Sequence, residues 1–168
     1  QAPCGAIKHY CSAGIRHDAQ DGFYTLQGPP SARREQSPCG SASFFCTGGE
    51  RRPATTGHFT AGGDIAHRSS ERACGGTEWY CDAGVRHVAA AGYHTIGATT
   101  KTRHAQVACG AIAHWCIGGV QHVANPGHYT TGGTAQTRFG QRMCGLPQYF
   151  CTGGVRHAVL EGYASTGL

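Results

Sequence analysis

The sequence predicts an all-β, small disulfide-rich fold, a tandem array of five 35-residue repeats of short antiparallel strands in an elongated solenoid-like stack. Ten cysteines at regular spacing, 27 glycines and a scarcity of large apolar residues predict it. Leu, Ile, Val and Phe together number only 23 of 168 residues. Burial on that scale does not offset roughly 1–2 kcal/mol of backbone entropy per residue. Stability must therefore come from cross-links and from contacts between neighbouring repeats.

Two cysteine columns define the repeat, each with a period of 35 residues. The first column is Cys4, Cys39, Cys74, Cys109 and Cys144, and the second follows seven residues later at Cys11, Cys46, Cys81, Cys116 and Cys151. No insertion interrupts the period. The repeats are therefore residues 4–38, 39–73, 74–108, 109–143 and an incomplete fifth, 144–168.

Other positions recur with the same period. A glycine follows the first cysteine, an aromatic residue precedes the second, and a further glycine lies three residues after the second. Another glycine and a ring-rich pair then precede a hydroxyl column, Thr25, Thr60, Thr95, Thr130 and Ser165. Two polar columns follow, one of Arg33, Arg68, Arg103 and Arg138, the other of Gln36, Glu71, Gln106 and Gln141. The invariant glycines indicate turns with φ > 0 or a close approach of backbone.

The strands are predicted from local alternation. Val85–Val88 and Val120–Val123 alternate apolar and polar residues, as a half-buried strand does. Residues 92–95 and 127–133 predict a second short strand that ends in a glycine turn. No segment has a 3.6-residue period of helical length. We therefore expect two or three short antiparallel strands in each repeat.

The spacing leaves two disulfide schemes open. Pairing within repeats leaves no thiol over and gives Cys4–Cys11, Cys39–Cys46, Cys74–Cys81, Cys109–Cys116 and Cys144–Cys151. Pairing between repeats leaves Cys4 and Cys151 to continue the cross-links of a longer fibre and gives Cys11–Cys39, Cys46–Cys74, Cys81–Cys109 and Cys116–Cys144. Loop entropy favours the larger loops only slightly, because it grows with the logarithm of loop length. Complete pairing favours the first scheme.

The histidine and arginine columns are predicted to pack against rings. The histidine column is His17, His87, His122 and His157, with Arg52 in the second repeat. Zinc needs closely spaced ligands, which neither the cysteine spacing nor the 35-residue period provides. We therefore expect no metal and no cofactor, and an imidazole beside an aromatic ring in each case. The arginine column that begins at Arg33 is expected to lie over neighbouring rings, at about 0.5–1 kcal/mol for each exposed pair.

The hydroxyl column is a candidate for O-glycosylation. A hydroxyl displayed once per repeat on a strand would give a regular ladder of sugar acceptors. The candidate residues are Thr25, Thr60, Thr95, Thr130 and Thr131. The alternative is that β-branched threonine simply favours strands.

No catalytic residue is predicted, and we do not expect an enzyme. Cysteines held in disulfides are not nucleophiles, and the nine acidic residues share no column that would pair two carboxylates. The net charge of +5 is spread along the repeats and not gathered into a basic patch, so no nucleic-acid partner is expected. No stretch approaches the roughly 20 apolar residues of a spanning helix, so we expect no membrane insertion. The even cysteine count indicates an extracellular or cell-surface location.

The fourth repeat carries a resemblance to a known class of proteins. The motif Cys109-Gly110-x4-Trp115-Cys116-x2-Gly119-Val120, continued by residues 127–133 and by Thr137-Arg138-x2-Gln141, resembles the ephrin-receptor-like and related cysteine-rich repeats. The resemblance extends over all five repeats. It implies tandem repeats of large protist surface proteins, found in ciliates and heterokont algae, that form stalks, coats or mastigoneme-type filaments and are often glycosylated. Those modules usually carry four or more cysteines, so their pairing is not transferred to these two-cysteine repeats.

The sequence thus predicts a structural segment of an extracellular, disulfide-braced repeat protein that forms or decorates a filament or surface coat. Its expected partners are further copies of itself, head-to-tail or lateral, and covalent glycans. The alternative is an adhesin or receptor-like module that binds glycans or a protein. The ring-rich pairs at 23–24, 58–59, 93–94 and 128–129 separate the two: an open groove favours binding, and packing between repeats favours a scaffold.

Overall fold

The structure, a computed structural model, describes residues 2–26, 28–97, 99 and 101–165. The end of the fifth repeat, 166–168, lies outside the described residues. Within them the chain forms eighteen strands and two single-turn 3-10 helices, Pro30–Ala32 and Ile65–His67. The strands are β1 (His9–Ser12), β2 (Ile15–Asp18), β3 (Phe23–Thr25), β4 (Gln36–Pro38), β5 (Phe44–Thr47), β6 (Glu50–Pro53), β7 (His58–Ala61), β8 (Ser70–Ala73), β9 (Trp79–Asp82), β10 (Val85–Val88), β11 (Tyr93–Ile96), β12 (Ala105–Ala108), β13 (His114–Ile117), β14 (Val120–Val123), β15 (His128–Thr131), β16 (Gly140–Met143), β17 (Tyr149–Thr152) and β18 (Val155–Ala158). The predicted all-β class is confirmed.

Each complete repeat forms two antiparallel hairpins. The first, which we call the cysteine hairpin, contains the second cysteine and comprises β1–β2, β5–β6, β9–β10, β13–β14 or β17–β18. The other, the threonine hairpin, contains the hydroxyl column and comprises β3–β4, β7–β8, β11–β12 or β15–β16. The predicted strands are found as β10, β14, β11 and β15. The expected number of two or three strands per repeat is wrong, because the strand with the second cysteine and the strand after the long loop lack clear alternation.

A two-residue turn closes every cysteine hairpin. Both turn residues have positive φ, for example +56° at Gly118 and +73° at Gly119. This is the type I′ geometry, which matches the twist of the flanking strands. Ala13 and Ala83 occupy the first turn position of two repeats with φ of +50° and +47°. The glycine column three residues after the second cysteine occupies the second turn position, and its positive φ is the first reason for a glycine there.

The disulfides all lie within repeats. They join Cys4 to Cys11, Cys39 to Cys46, Cys74 to Cys81, Cys109 to Cys116 and Cys144 to Cys151. The Cα atoms of each pair are 5.6 or 5.7 Å apart. This is the scheme with no thiol left over. Among the described residues the fully buried side chains are cystines and threonines, whereas the large aliphatic residues are half-buried or exposed. The buried core of this chain is therefore made mainly of cystines, which take the place of the scarce aliphatic side chains.

The chain divides into two compact units. One comprises Gln1–Cys74, Cys81–His87 and Thr99–His104, and the other comprises Gly75–Tyr80, Val88–Ala98 and Ala105–Leu168. The third repeat contributes segments to both. The contacts that join repeat 1 to 2 and repeat 2 to 3 lie within the first unit, and those that join repeat 3 to 4 and repeat 4 to 5 lie within the second. In the described part of the chain, the helices are too short and too polar to span a bilayer.

Candidate functional site between successive repeats

In repeats two to five, the turn glycine of the cysteine hairpin lies against the backbone of the preceding repeat. A β-carbon at Gly84 would overlap the carbonyl group of Ala42, and one at Gly119 would overlap that of Thr77. Gly49 and Gly154 approach the carbonyl groups of Ile7 and Ile112 in the same way. The glycine is therefore required a second time, because only a residue without a side chain allows this approach.

The threonine of the preceding repeat binds both sides of this contact. Its hydroxyl donates to the same carbonyl at 2.5–2.8 Å. Its backbone amide donates to the carbonyl of the turn glycine at 2.9 or 3.0 Å. We call each set of three residues a junction cluster. The clusters are Ile7–Thr25–Gly49, Ala42–Thr60–Gly84, Thr77–Thr95–Gly119 and Ile112–Thr130–Gly154.

This placement bears on the hydroxyl column as a proposed ladder of sugar acceptors. Thr25, Thr60 and Thr130 are only 1–4% exposed, and their hydroxyl groups are committed as donors. Thr95 is half-buried and makes the same bonds. Burial and these bonds argue against sugars on Thr25, Thr60 and Thr130 in the folded chain, and glycosylation of Thr95 stays a prediction. Thr131 is half-buried and is not part of a junction cluster, so its glycosylation stays a prediction.

Ring–guanidinium contacts flank three of the four clusters. An arginine of one cysteine hairpin lies 5.6 or 5.7 Å from a ring centroid of the preceding repeat, in the pairs Arg51–Tyr24, Arg86–Phe59 and Arg156–Tyr129. Arg51 and Arg156 also lie 3.8 and 3.7 Å from the rings of Phe44 and Tyr149 in their own hairpins. The remaining junction, between the third and fourth repeats, has His94 and Gln121 in place of the ring and the arginine. The side-chain amide of Gln121 donates to the Cys109 carbonyl at 2.7 Å.

These arginines are not the ones that the sequence predicted. In the expected column, Arg33 and Arg68 donate from Nη1 to the carbonyls of Gly5 and Gly63, at 2.9 and 3.1 Å. The backbone carbonyls of the column accept from the amide of the second cysteine, as Arg138 does from Cys116 at 2.9 Å. Cation–π contacts are thus present as predicted, but they are found at Arg51, Arg86 and Arg156, whereas the guanidinium groups of Arg33 and Arg68 bind backbone carbonyls.

The histidine column lies on the opposite side of the cysteine hairpin from the cystine. His17, His122 and His157 stack on Tyr10, Trp115 and Phe150, with ring centroids 4.4–5.1 Å apart and planes within 23° of parallel. Each pair is directly cross-strand. The expected packing of imidazoles beside aromatic rings is confirmed for these three. Across the described ranges, no three His, Cys, Asp or Glu side chains gather as metal ligands would.

The Gln/Glu column has a role that the sequence did not reveal. Its side-chain oxygen accepts from a backbone amide in the turn that precedes the threonine hairpin, at 2.7 or 2.8 Å. The pairs are Gln36 with Gln20, Glu71 with Thr55, Gln106 with Ala90 and Gln141 with Asn125. A constant separation of 16 residues was the available signal. The column ties the turn before each threonine hairpin to the second strand of that hairpin.

No protein-family model matches this chain, and neither a curated protein sequence nor a solved structure matches it. The junction clusters and their flanking contacts are thus the features from which a function has to be inferred. They consist of backbone, hydroxyl and glycine contacts repeated four times, with ring contacts at three of the four junctions. Such contacts hold one repeat on the next.

Proposed function

We propose that this chain is a structural segment of an extracellular repeat protein, which forms or decorates a filament or cell-surface coat. The observation that carries the proposal is the junction cluster, present with the same donors and acceptors at four successive junctions. A contact that recurs with the sequence period makes stability a sum of repeat terms and nearest-neighbour terms. Further repeats can be added to such an array through the same contact, as a filament or a coat requires.

The ring-rich pairs support a scaffold over an adhesin. Tyr24, Phe59 and Tyr129 lie under the arginines of the following repeat, and the Phe23 ring lies 4.7 Å from the His67 ring of that repeat. Rings used in this way join one repeat to the next. Ring contacts between repeats at three junctions support the scaffold over the adhesin.

The cross-links support the proposed location. All ten cysteines are in disulfides, which form and persist in oxidising compartments. A secreted or surface protein is the simplest source of such a chain. The resemblance to protist surface repeats points the same way, and we include self-association and surface glycans in the proposal.

Electron microscopy of the native material tests the function. We expect fibres or a coat with a regular axial repeat, and intact-mass analysis after reduction should reveal any covalent sugar. A monodisperse monomer that never assembles would overturn the filament or coat. Saturable binding of a soluble glycan, lost in Trp115→Ala but not in Arg52→Gln, would favour the adhesin instead.

A further inference from the structure

The cysteine hairpin of the first repeat presents an unused half of a junction. We call this surface the front face and define it by the Cys11 carbonyl, Gly14 and Arg16. Gly14 has the same backbone conformation as Gly49, with φ of +79° and +77°. A β-carbon at Gly49 would overlap the Ile7 backbone, whereas no atom of the described chain lies within 4 Å of one at Gly14. An open groove lined in part by Cys11, Ser12 and Ala13 borders the face.

The backbone acceptors of the front face are those of an inner junction. In the second repeat, the Cys46 and Gly49 carbonyls accept from the amides of Gly22 and Thr25, each at 3.0 Å. The Cys116 and Gly119 carbonyls do the same for Gly92 and Thr95. The carbonyls of Cys11 and Gly14 hold the corresponding places in β1–β2. Within the described ranges no backbone amide donates to them.

Arg16 indicates which residue the partner strand carries opposite it. It is exposed, and no described ring lies over its guanidinium. At the inner junctions, arginine occupies this position when the preceding repeat offers Tyr24, Phe59 or Tyr129. Glutamine occupies it in the one case where the preceding residue is His94. The first repeat therefore matches a partner whose strand carries tyrosine or phenylalanine.

We propose that the front face binds a further repeat of this type. The contact is made by a strand equivalent to residues 22–25, whose last two residues are a tyrosine or phenylalanine and a threonine. The inference rests on the proposed function, since it extends the same junction by one step. The fifth repeat of a second copy fits less well, because it offers Ala164 at the ring position. The occupant is thus a ring-bearing repeat and not that end of another copy.

The test is an extended chain in which a second copy of residues 4–38 directly precedes Cys4, so that the 35-residue period is kept. The Thr25 amide of the added copy should then bind the Gly14 carbonyl. Native-state hydrogen exchange measures its protection, and the original Thr25 amide, bonded to Gly49, serves as the internal control. Gly14→Ala should lower protection of the added amide about five- to 150-fold, because overlap of this kind costs about 1–3 kcal/mol. Arg16→Gln should lower it about two- to fivefold.

The outcomes separate this inference from the proposed function. An added Thr25 amide that exchanges freely while the original one is protected would overturn the inference and leave the array intact. Free exchange at both amides would overturn the stacked array itself. An added copy that carries Tyr24→Ala should lose the sensitivity to Arg16→Gln, and unchanged sensitivity would also count against the ring. Concentration-dependent dimerisation of the 168-residue chain, abolished by Gly14→Ala, would show that a second copy is the occupant and overturn the choice made here.

Discussion

The cysteine hairpins of the first and third repeats have the same turn and different neighbours. Ala13-Gly14 and Ala83-Gly84 both form the turn, with glycine φ values of +79° and +77°. Gly84 lies against the backbone of Ala42 and Ser43, whereas Gly14 has open space beside it. The turn explains the glycine in both repeats, and the junction adds a second requirement in only one. The cost of a substitution therefore depends on the neighbouring repeat as well as on the turn.

The largest effect is expected from Gly84→Ala, with Gly14→Ala as its matched control. Both variants place a β-carbon in the left-handed region, at about 1 kcal/mol. Gly84→Ala also forces the new methyl group into the Ala42 carbonyl, at about 1–3 kcal/mol more. Urea unfolding with the disulfides intact measures both free energies. Equal losses would show that the junction adds nothing to the turn.

Thr60→Val should come next, because it removes the hydroxyl from the same junction cluster at nearly constant shape. The Ala42 carbonyl would lose its donor at a buried position, which costs about 1–3 kcal/mol. Thr95→Val is the control, since Thr95 makes the same bond where it is less buried and water can replace the hydroxyl. Thermal unfolding should rank the two variants in that order. A reversed ranking would contradict burial as the reason.

A smaller effect is expected from Arg51→Gln, compared with Arg16→Gln. Arg51 lies over Tyr24 and Phe44, and losing these contacts should reduce stability by about 0.5–1 kcal/mol. Arg16 has no described ring over it, so its replacement in the 168-residue chain should change stability little. The difference between the two unfolding free energies isolates the ring contacts. It should vanish if Tyr24 and Phe44 are both replaced by leucine.

The smallest effect is a dependence on acid at the junction of the first two repeats. The side-chain hydrogen bond from His67, together with its charge and two backbone amides, lowers the pKa of Asp64 below its usual 3.8, despite the opposing effect of desolvation. Since the folded pKa is the lower one, the stabilisation is present above about pH 4 and is lost as the pH falls through the folded value. The protection factors of amides near Phe23, whose ring contacts His67, should therefore fall in acid after correction for the intrinsic exchange rate at each pH. Asp64→Asn should remove this pH dependence, and an unchanged profile would contradict it.

Much of this fold was predictable because its signals are local or periodic. The 35-residue period, the strands at Val85–Val88 and Val120–Val123 and the need for cross-links followed from spacing and composition alone. The hydroxyl column was read as a surface ladder and is in fact largely buried. Threonine favours strands whether it points inwards or outwards, so its presence at Thr25 or Thr60 does not distinguish the two. The same ambiguity assigned the ring contacts to Arg33 and not to Arg51.

The sequence by itself determined the 35-residue period and the dependence on cystine, because both are properties of spacing and composition. Only the tertiary structure decided what each column does. Thr25 bonds to a carbonyl 18 residues before it and approaches another 24 residues after it, so its role depends on how two hairpins face each other. A period of 35 residues is the same for a hydroxyl that faces solvent and one that joins two repeats. Strand register and hairpin orientation, set by contacts distant in sequence, distinguish them.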